Sequence, residues 1–431
     1  MAVKRKLIAL AAALCLLLSG CSPITLSVED LMRPPQLSES QRQVHDALMS
    51  ALGTSGSNVS LRYPRSGSNR SAFTFFDLDG DGQQEAMVFY TLADAQDDFY
   101  INVMEQGEQG WYSVYDIPGV GSGVESVEFA PVTDADGRDI IIGWAAEENS
   151  IGQLSVLRYQ DNKLSSLYQS RYTKYTTADL NQDGLLELLT VTMSNSGGKP
   201  FASLITRREG KLDAVSNLPL NLNMTSFSRL YAGWINPFET GLVVDGYEGQ
   251  TFTSELLLIK NEMLSLPFAE ESPFYTDVAR RQGVVYSRDV DGDDILELPI
   301  QKPAPGKTGL YYTDYCQVNG EQELELVETA YVSDSEGYIF YLPEQWRDRV
   351  TVSRSKTGEV VFGLYDAETG MQGRDLLRIR VYSEKDYQDK FDTERYQKIG
   401  RRGNFLYYVN VVEGEELSIT QGQVKELFEI I

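Results

Sequence analysis

The sequence predicts a mainly β protein: a β-propeller-like repeat domain of about five visible four-stranded units, followed by a small α+β domain. Three observations predict it. An acidic loop recurs along the chain, and each copy runs into an apolar, strand-like segment. Between the copies lie pairs of strand-like segments joined by Gly- or Asn-containing turns, such as YINVMEQGEQGWYSVYDI and QLSVLRYQDNKLSSLYQ. The 25 tyrosines lead an aromatic share of 11%, which favours strands over helices.

The elements follow in chain order. Residues 1–20 read as a signal peptide. Lys4, Arg5 and Lys6 form a basic lead, and Leu7 to Leu18 an apolar run. The run is too short for a bilayer, which takes about 20 residues, but it suits secretion. The end of this segment, Leu18-Ser19-Gly20-Cys21, resembles the bacterial lipobox. That resemblance implies cleavage before Cys21, a diacylglycerol on its thiol, and a chain tethered to the extracytoplasmic face of the cell membrane. The other reading is an ordinary signal peptide with a chance cysteine. Removing residues 1–20 takes away three basic side chains and no acidic one, so the net charge moves from −25 to −28. Such a surface argues against nucleic acid and against anionic lipid as binding partners.

Residues 21–57 read as a tether and an amphipathic helix. SPITLSVEDLMRPPQ carries a Pro-Pro break. Over residues 38–52, Ser38 and Gln41 make a capping box, while Val44, Ala47, Leu48, Ala51 and Leu52 form one apolar stripe. Gly53 supplies the stop. His45, the only histidine, lies beside the stripe and reads as an exposed helix residue.

Residues 58–330 hold the repeats. The first loop is Asp77-Leu-Asp79-Gly-Asp81-Gly-Gln83-Gln-Glu85. Its relatives are Asp179-Leu-Asn181-Gln-Asp183-Gly-Leu185-Leu-Glu187 and Asp289-Val-Asp291-Gly-Asp293-Asp-Ile295-Leu-Glu297. All three carry oxygen side chains at positions 1, 3, 5 and 9. The backbone carbonyls of Gln83, Leu185 and Ile295 at position 7 can add another ligand. This donor set suits Ca²⁺, a hard cation that takes six to eight oxygens in a flexible cage. A solvated Asp-Gly turn is the alternative for any one loop; three copies with one spacing favour up to three structural calcium sites. Gly82 and Gly184 supply the turn at position 6, where the third loop has Asp294. The loops are not EF-hands, since Val88, Thr190 and Ile300 stand where a bidentate glutamate belongs.

Two further units carry the strands without a full loop. VEFAPVTDADGRDIIIGW reads as a shortened loop with Asp134, Asp136 and Asp139, and YAGWINPFETGLVVDGY has lost its acidic loop. Unit starts fall near residues 77, 134, 179, 236 and 289, steps of 57, 45, 57 and 53. A period near 50 with about four short strands reads as a propeller or related array. Odd units keep the loop and even units have eroded it. The loops resemble those of the FG-GAP/VCBS repeat family, found in the integrin α-subunit propeller. The resemblance covers roughly residues 60–330 and implies one calcium per intact loop, at a propeller rim. The Phe-Gly/Gly-Ala-Pro half of that repeat is not evident. The whole chain is also similar to lipoproteins of Gram-positive bacteria.

Residues 331–431 read as the α+β domain. YVSDSEGYIFYLPEQWRDRVTVSR gives strand, turn and strand; EVVFGLYDAE, LLRIRVYSE and NFLYYVNVV give more strands. SEKDYQDKF and the terminal ITQGQVKELFEII read as helices.

No GxSxG, HExxH or Walker loop is present, and Cys316, in the strand-like YYTDYCQV, reads as a packed small residue. No catalytic residue is singled out. The first functional reading is a non-enzymatic, lipid-anchored binding or adhesion module with an unidentified protein or glycan ligand. The alternatives are a carboxylate-based enzyme acting on polysaccharide, and a structural role in envelope assembly. The enzyme reading needs two carboxylates converging away from the loops.

Overall fold

The computed structural model describes residues 37–53, 58–93, 95–121, 123–145, 151–194, 197–320, 322–383 and 395–431. The signal segment, Cys21 and most of the helix expected over SEKDYQDKF lie outside the described residues.

The chain is mainly β. Among the described residues six antiparallel sheets follow one another in sequence. Sheet one holds Val59–Leu61, Phe73–Phe76, Glu85–Leu92, Ala95–Gly107 and Gly110–Pro118, with the first two strands pairing to opposite halves of the third. Sheet two is Val124–Ala130, Asp139–Trp144, Gly152–Gln160 and Lys163–Tyr172. Sheet three is Lys174–Ala178, Glu187–Thr192, Phe201–Arg208 and Lys211–Pro219. Sheet four is Ser226–Asn236, Glu239–Glu248, Thr251–Lys260 and Met263–Ser265. Sheet five is Leu298–Pro303, Tyr311–Val318, Leu324–Ser333 and Tyr338–Tyr341, extended by Phe428–Ile430. Sheet six holds five strands between Val350 and Val411. Each sheet is open, and neighbours in sequence share a core.

The strand that follows the loop in the first four units is buried on both faces, which is why it reads as a continuous apolar run, whereas in Leu298–Pro303 only the first two residues are buried. In Asp139–Trp144, Ile140 and Ile142 join the core shared with Met87, Phe89 and Val103 of sheet one. Ile141 joins the core shared with Leu188 and Ile205 of sheet three. Leu189, one residue on from Leu188, turns to the core it shares with Leu242 and Leu256 of sheet four. The period of two thus stacks the sheets in series. The helix α1 (Glu39–Leu52) has its capping box and a left-handed Gly53 stop, and buries Val44 and Leu48 against Phe73 and Val88 of sheet one.

The C-terminal region corrects the α+β expectation: it is mostly β. Sheet six is built of strands, and the tail helix α2 (Gln421–Glu426) lasts only six residues. The sequence beyond it was expected to stay helical. Instead Phe428–Ile430 pairs with the edge strand Tyr338–Tyr341, and the Phe428 ring stacks on Tyr338 at 5.0 Å. An open strand edge satisfies backbone groups along its whole length, and here that tertiary pairing outweighs local helix spacing. The strand Leu324–Ser333 also runs across residue 331, where sequence reading starts the last domain.

Candidate metal centres

The first and second acidic loops join the first strand of a unit to its buried second strand, whereas the third follows the isolated bridge of Arg288 with Glu297 and leads into Leu298–Pro303; in all three the position 9 carboxylate opens or immediately precedes the strand that follows. The three loops are wound by the same hydrogen bonds. Glu85 Oε2 accepts from the Leu78 N–H at 2.6 Å, Glu187 Oε2 from Leu180 at 2.8 Å, and Glu297 Oε2 from Val290 at 2.8 Å. Asp77, Asp179 and Asp289 each accept from the N–H of position 6, at 3.0–3.1 Å. Position 6 is left-handed in all three, including Asp294 at φ 65°, so aspartate takes the conformation glycine takes elsewhere.

In the first loop Asp77, Asp79 and Glu85 each bring a carboxylate oxygen within 4.8 Å of the others. Asp289, Asp291 and Glu297 do the same in the third. Two acidic clusters could therefore hold a metal ion, and their all-oxygen donors fit a hard cation. Asp81 and Asp293 at position 5 accept instead from the N–H of Gln83 and Ile295, at 2.7 and 2.8 Å. The second loop differs. The Asn181 amide donates to Glu187 Oε1 at 3.0 Å and to Asp183 Oδ2 at 3.3 Å, so an amide stands where the other loops crowd a third carboxylate.

Electrostatics mark the clusters. Burial, then the Asp79, Asp81 and Asp77 charges, push the Glu85 carboxyl up to about 7 against a backbone hydrogen bond. Burial, with Asp291 and Asp293, pushes Glu297 up to about 7 in the same way. Burial raises Glu187 too, with Asp183 and Asp179 adding to it. An unneutralised carboxylate cluster thus disfavours its own charge, the condition a bound cation would relieve.

The second unit corrects the reading of a shortened loop. Its loop has the full length, with Asp139 at position 9: Asp139 accepts from Val132, seven residues back, as Glu85 does from Leu78. Pro131 and Thr133 replace the acids of positions 1 and 3. The Arg158 guanidinium fills the place, pairing with Asp134 and Asp139 and donating to Thr133 Oγ1 at 2.9 Å. Asp139 is fully buried. The fourth unit does the same with less: Glu239 opens its second strand and meets Lys260 Nζ at 2.8 Å. Burial opposes ionisation of Glu239, but Lys260 and Asn236 outweigh it and hold its carboxyl below the usual range.

These cations sit at one structural position. Asp139 pairs across the sheet with Arg158, and Thr240 with Ile259, which sets Lys260 opposite Glu239. In the intact loops the corresponding residues are Glu105, Thr206 and Gln317, by the pairings of Ala86 with Met104, Leu188 with Ile205 and Leu298 with Cys316. Sequence reasoning missed this residue. Its signal was available as a position 19–21 residues beyond each strand-opening acid. Cys316 is buried, and burial pushes its thiol up to about 12.

No protein-family model matches the chain, and no curated protein matches it. Among solved structures, the exotype rhamnogalacturonan lyase YesX aligns over 72% of this chain at 13% identity, with a TM-score of 0.27. The match spans 62% of the lyase's own length. Saccharomyces cerevisiae Sqt1 aligns over 83% of this chain and 100% of its own at 11% identity, with a TM-score of 0.36. Both likenesses are too distant to bear on function.

Proposed function

We propose that this chain is a lipid-anchored, extracytoplasmic protein whose acidic loops take Ca²⁺ to brace a β-propeller-like array, and that the array works as a binding module. The observation that carries the metal half is the cross-strand alternation. The strand-opening acid faces Arg158 or Lys260 in even units, and Glu105, Thr206 or Gln317 in odd ones. A bound ion would supply the positive charge that odd units lack. In the first and third loops Asp77, Asp79 and Glu85, and Asp289, Asp291 and Glu297, would hold it; Asp179, Asp183 and Glu187 would do so in the second, with the Asn181 oxygen turned inward. The anchoring half rests on the lipobox resemblance at Cys21. Among the described residues no helix is long and apolar enough to cross a membrane.

Calorimetric titration of residues 22–431 with CaCl₂ tests the metal half. Two or three sites are expected, with Mg²⁺ not replacing Ca²⁺; no binding at millimolar calcium would refute it. Mass spectrometry of the mature protein tests the anchor, which requires a diacylglycerol adduct that Cys21→Ser abolishes. The enzyme reading keeps one favourable observation: Glu125 and Glu128 line a single cavity away from the loops.

A further inference from the structure

The first strands of sheets two, three and four, Val124–Ala130, Lys174–Ala178 and Ser226–Asn236, carry their loops at one end and line a shared cavity toward the other. The cavity has a volume of about 710 Å³, within the range of small-molecule sites, roughly 300–1,000 Å³. One wall is fixed by backbone: the Arg65 and Ser66 N–H groups donate to the Val124 and Glu125 carbonyls at 3.2 and 2.7 Å. Gly143 permits another close approach, since a Cβ there would lie 2.6 Å from the Tyr172 hydroxyl and 2.9 Å from Ser126 Oγ.

Its lining combines three chemistries. Arg65, Lys174 and Arg229 bring positive charge, and neither Lys174 nor Arg229 forms an ion pair among the described residues. The Arg229 guanidinium lies 5.8 Å from the centre of the Tyr286 ring, so cation and aromatic face are presented together. The Tyr175 hydroxyl donates to Glu128 Oε1 at 3.0 Å and lies 2.7 Å from Ser126 Oγ, a chain of hydroxyl and carboxyl groups. Burial raises the Glu128 carboxyl, which Tyr175 partly opposes.

We propose that this cavity binds a short acidic oligosaccharide, its uronate carboxylate on Lys174 and Arg229, a sugar face against Tyr286, and its hydroxyls on Glu128 and Tyr175. Aromatic faces suit the C–H faces of a pyranose, and the hydroxyl–carboxyl chain both donates and accepts, as a polyol requires. A purely anionic ligand would gain nothing from Glu125 and Glu128. A neutral sugar would leave Lys174 and Arg229 unused. The proposal names the ligand of the binding-module reading and rests on it.

Calorimetric titration of calcium-loaded residues 22–431 with trigalacturonate, galactotriose and triglutamate tests it. Trigalacturonate should bind at least about tenfold tighter than galactotriose. The double variant Lys174→Met/Arg229→Met should erase that difference, and Tyr175→Phe should weaken both sugars. Thermal melting with and without calcium shows that each variant is folded. Absence of uronate binding at millimolar ligand, equal binding of triglutamate, or full uronate affinity in the double variant would overturn the proposal. Failure with calcium-dependent melting intact refutes the cavity assignment alone; loss of calcium dependence in the unmodified protein refutes the metal reading instead.

Discussion

The first and second units use one loop frame and opposite electrostatics. Both set a buried acid at the head of the second strand and tie it to the N–H seven residues back. In the second unit Asp139 meets Arg158, a cation carried by the chain itself. In the first, Glu85 stands opposite Glu105, among Asp77 and Asp79. Glu105 is itself held by the Tyr159 and Tyr112 hydroxyls, both at 2.7 Å. A buried carboxylate needs a counter-charge. One unit encodes it in the third strand; the other has a carboxylate there, and on the proposed reading a cation from solution would supply the charge. Glu239 with Lys260 follows the second unit, and Glu297 with Gln317 the first.

Breaking the internal cation should have the largest effect. Arg158→Met leaves Asp139 buried and unpaired, and should destabilise the fold by about 3–5 kcal/mol. Urea unfolding with and without calcium checks this. Calcium should not rescue the variant, because Pro131 and Thr133 offer no carboxylate at positions 1 and 3. Rescue would mean that the two loop types are interchangeable.

Moving a cation into an odd unit should convert it. Gln317 donates to Glu297 Oε1 at 2.7 Å, so Gln317→Arg would deliver a guanidinium to the third loop. The variant should bind one calcium fewer by titration. It should also forgo the roughly 1.4 kcal/mol that a site gains at calcium tenfold above its Kd.

The pH dependence should separate the two kinds of unit as well. Glu85 and Glu297 are raised from 4.5 to about 7, so between those values the folded chain holds protons that the unfolded chain has released. In EDTA their contribution to stability should be full below about pH 4.5 and fade as pH rises through 7. Calcium binds the deprotonated form and should flatten or reverse that slope, read as melting temperature against pH. Glu239, lowered by Lys260 and Asn236, should act oppositely, its contribution lost as pH falls through the acid range. The smallest effect belongs to Lys260→Met. Lys260 is half exposed, and its loss should cost under about 1 kcal/mol by urea unfolding.

Much of this was legible in the sequence, for physical reasons. The loops announce themselves because left-handed turns and clustered oxygens need Gly and Asp at fixed offsets. Runs such as DIIIGW and ELLTVT mark strands buried on both faces. The terminal segment was not legible: KELFEII has helical spacing, and only the free edge of Tyr338–Tyr341 makes Phe428–Ile430 a strand. The role of Arg158 and Lys260 was legible only as a spacing of 19–21 residues from the strand-opening acid, because cross-strand register depends on hairpin lengths that vary from unit to unit. The second loop looked complete by composition, yet Asn181 brings an amide donor into it. The third departs from glycine at Asp294, yet keeps its three carboxylates together.

On the proposed reading, odd units depend on calcium and even units do not. Thermal unfolding of residues 22–431 in millimolar calcium, in EDTA, and in magnesium as control distinguishes the two kinds of unit. A rise in melting temperature specific to calcium is expected, reduced by Asp79→Ala and by Asp291→Ala. An equal melting temperature in all three conditions would contradict it and leave the acidic loops as solvated turns.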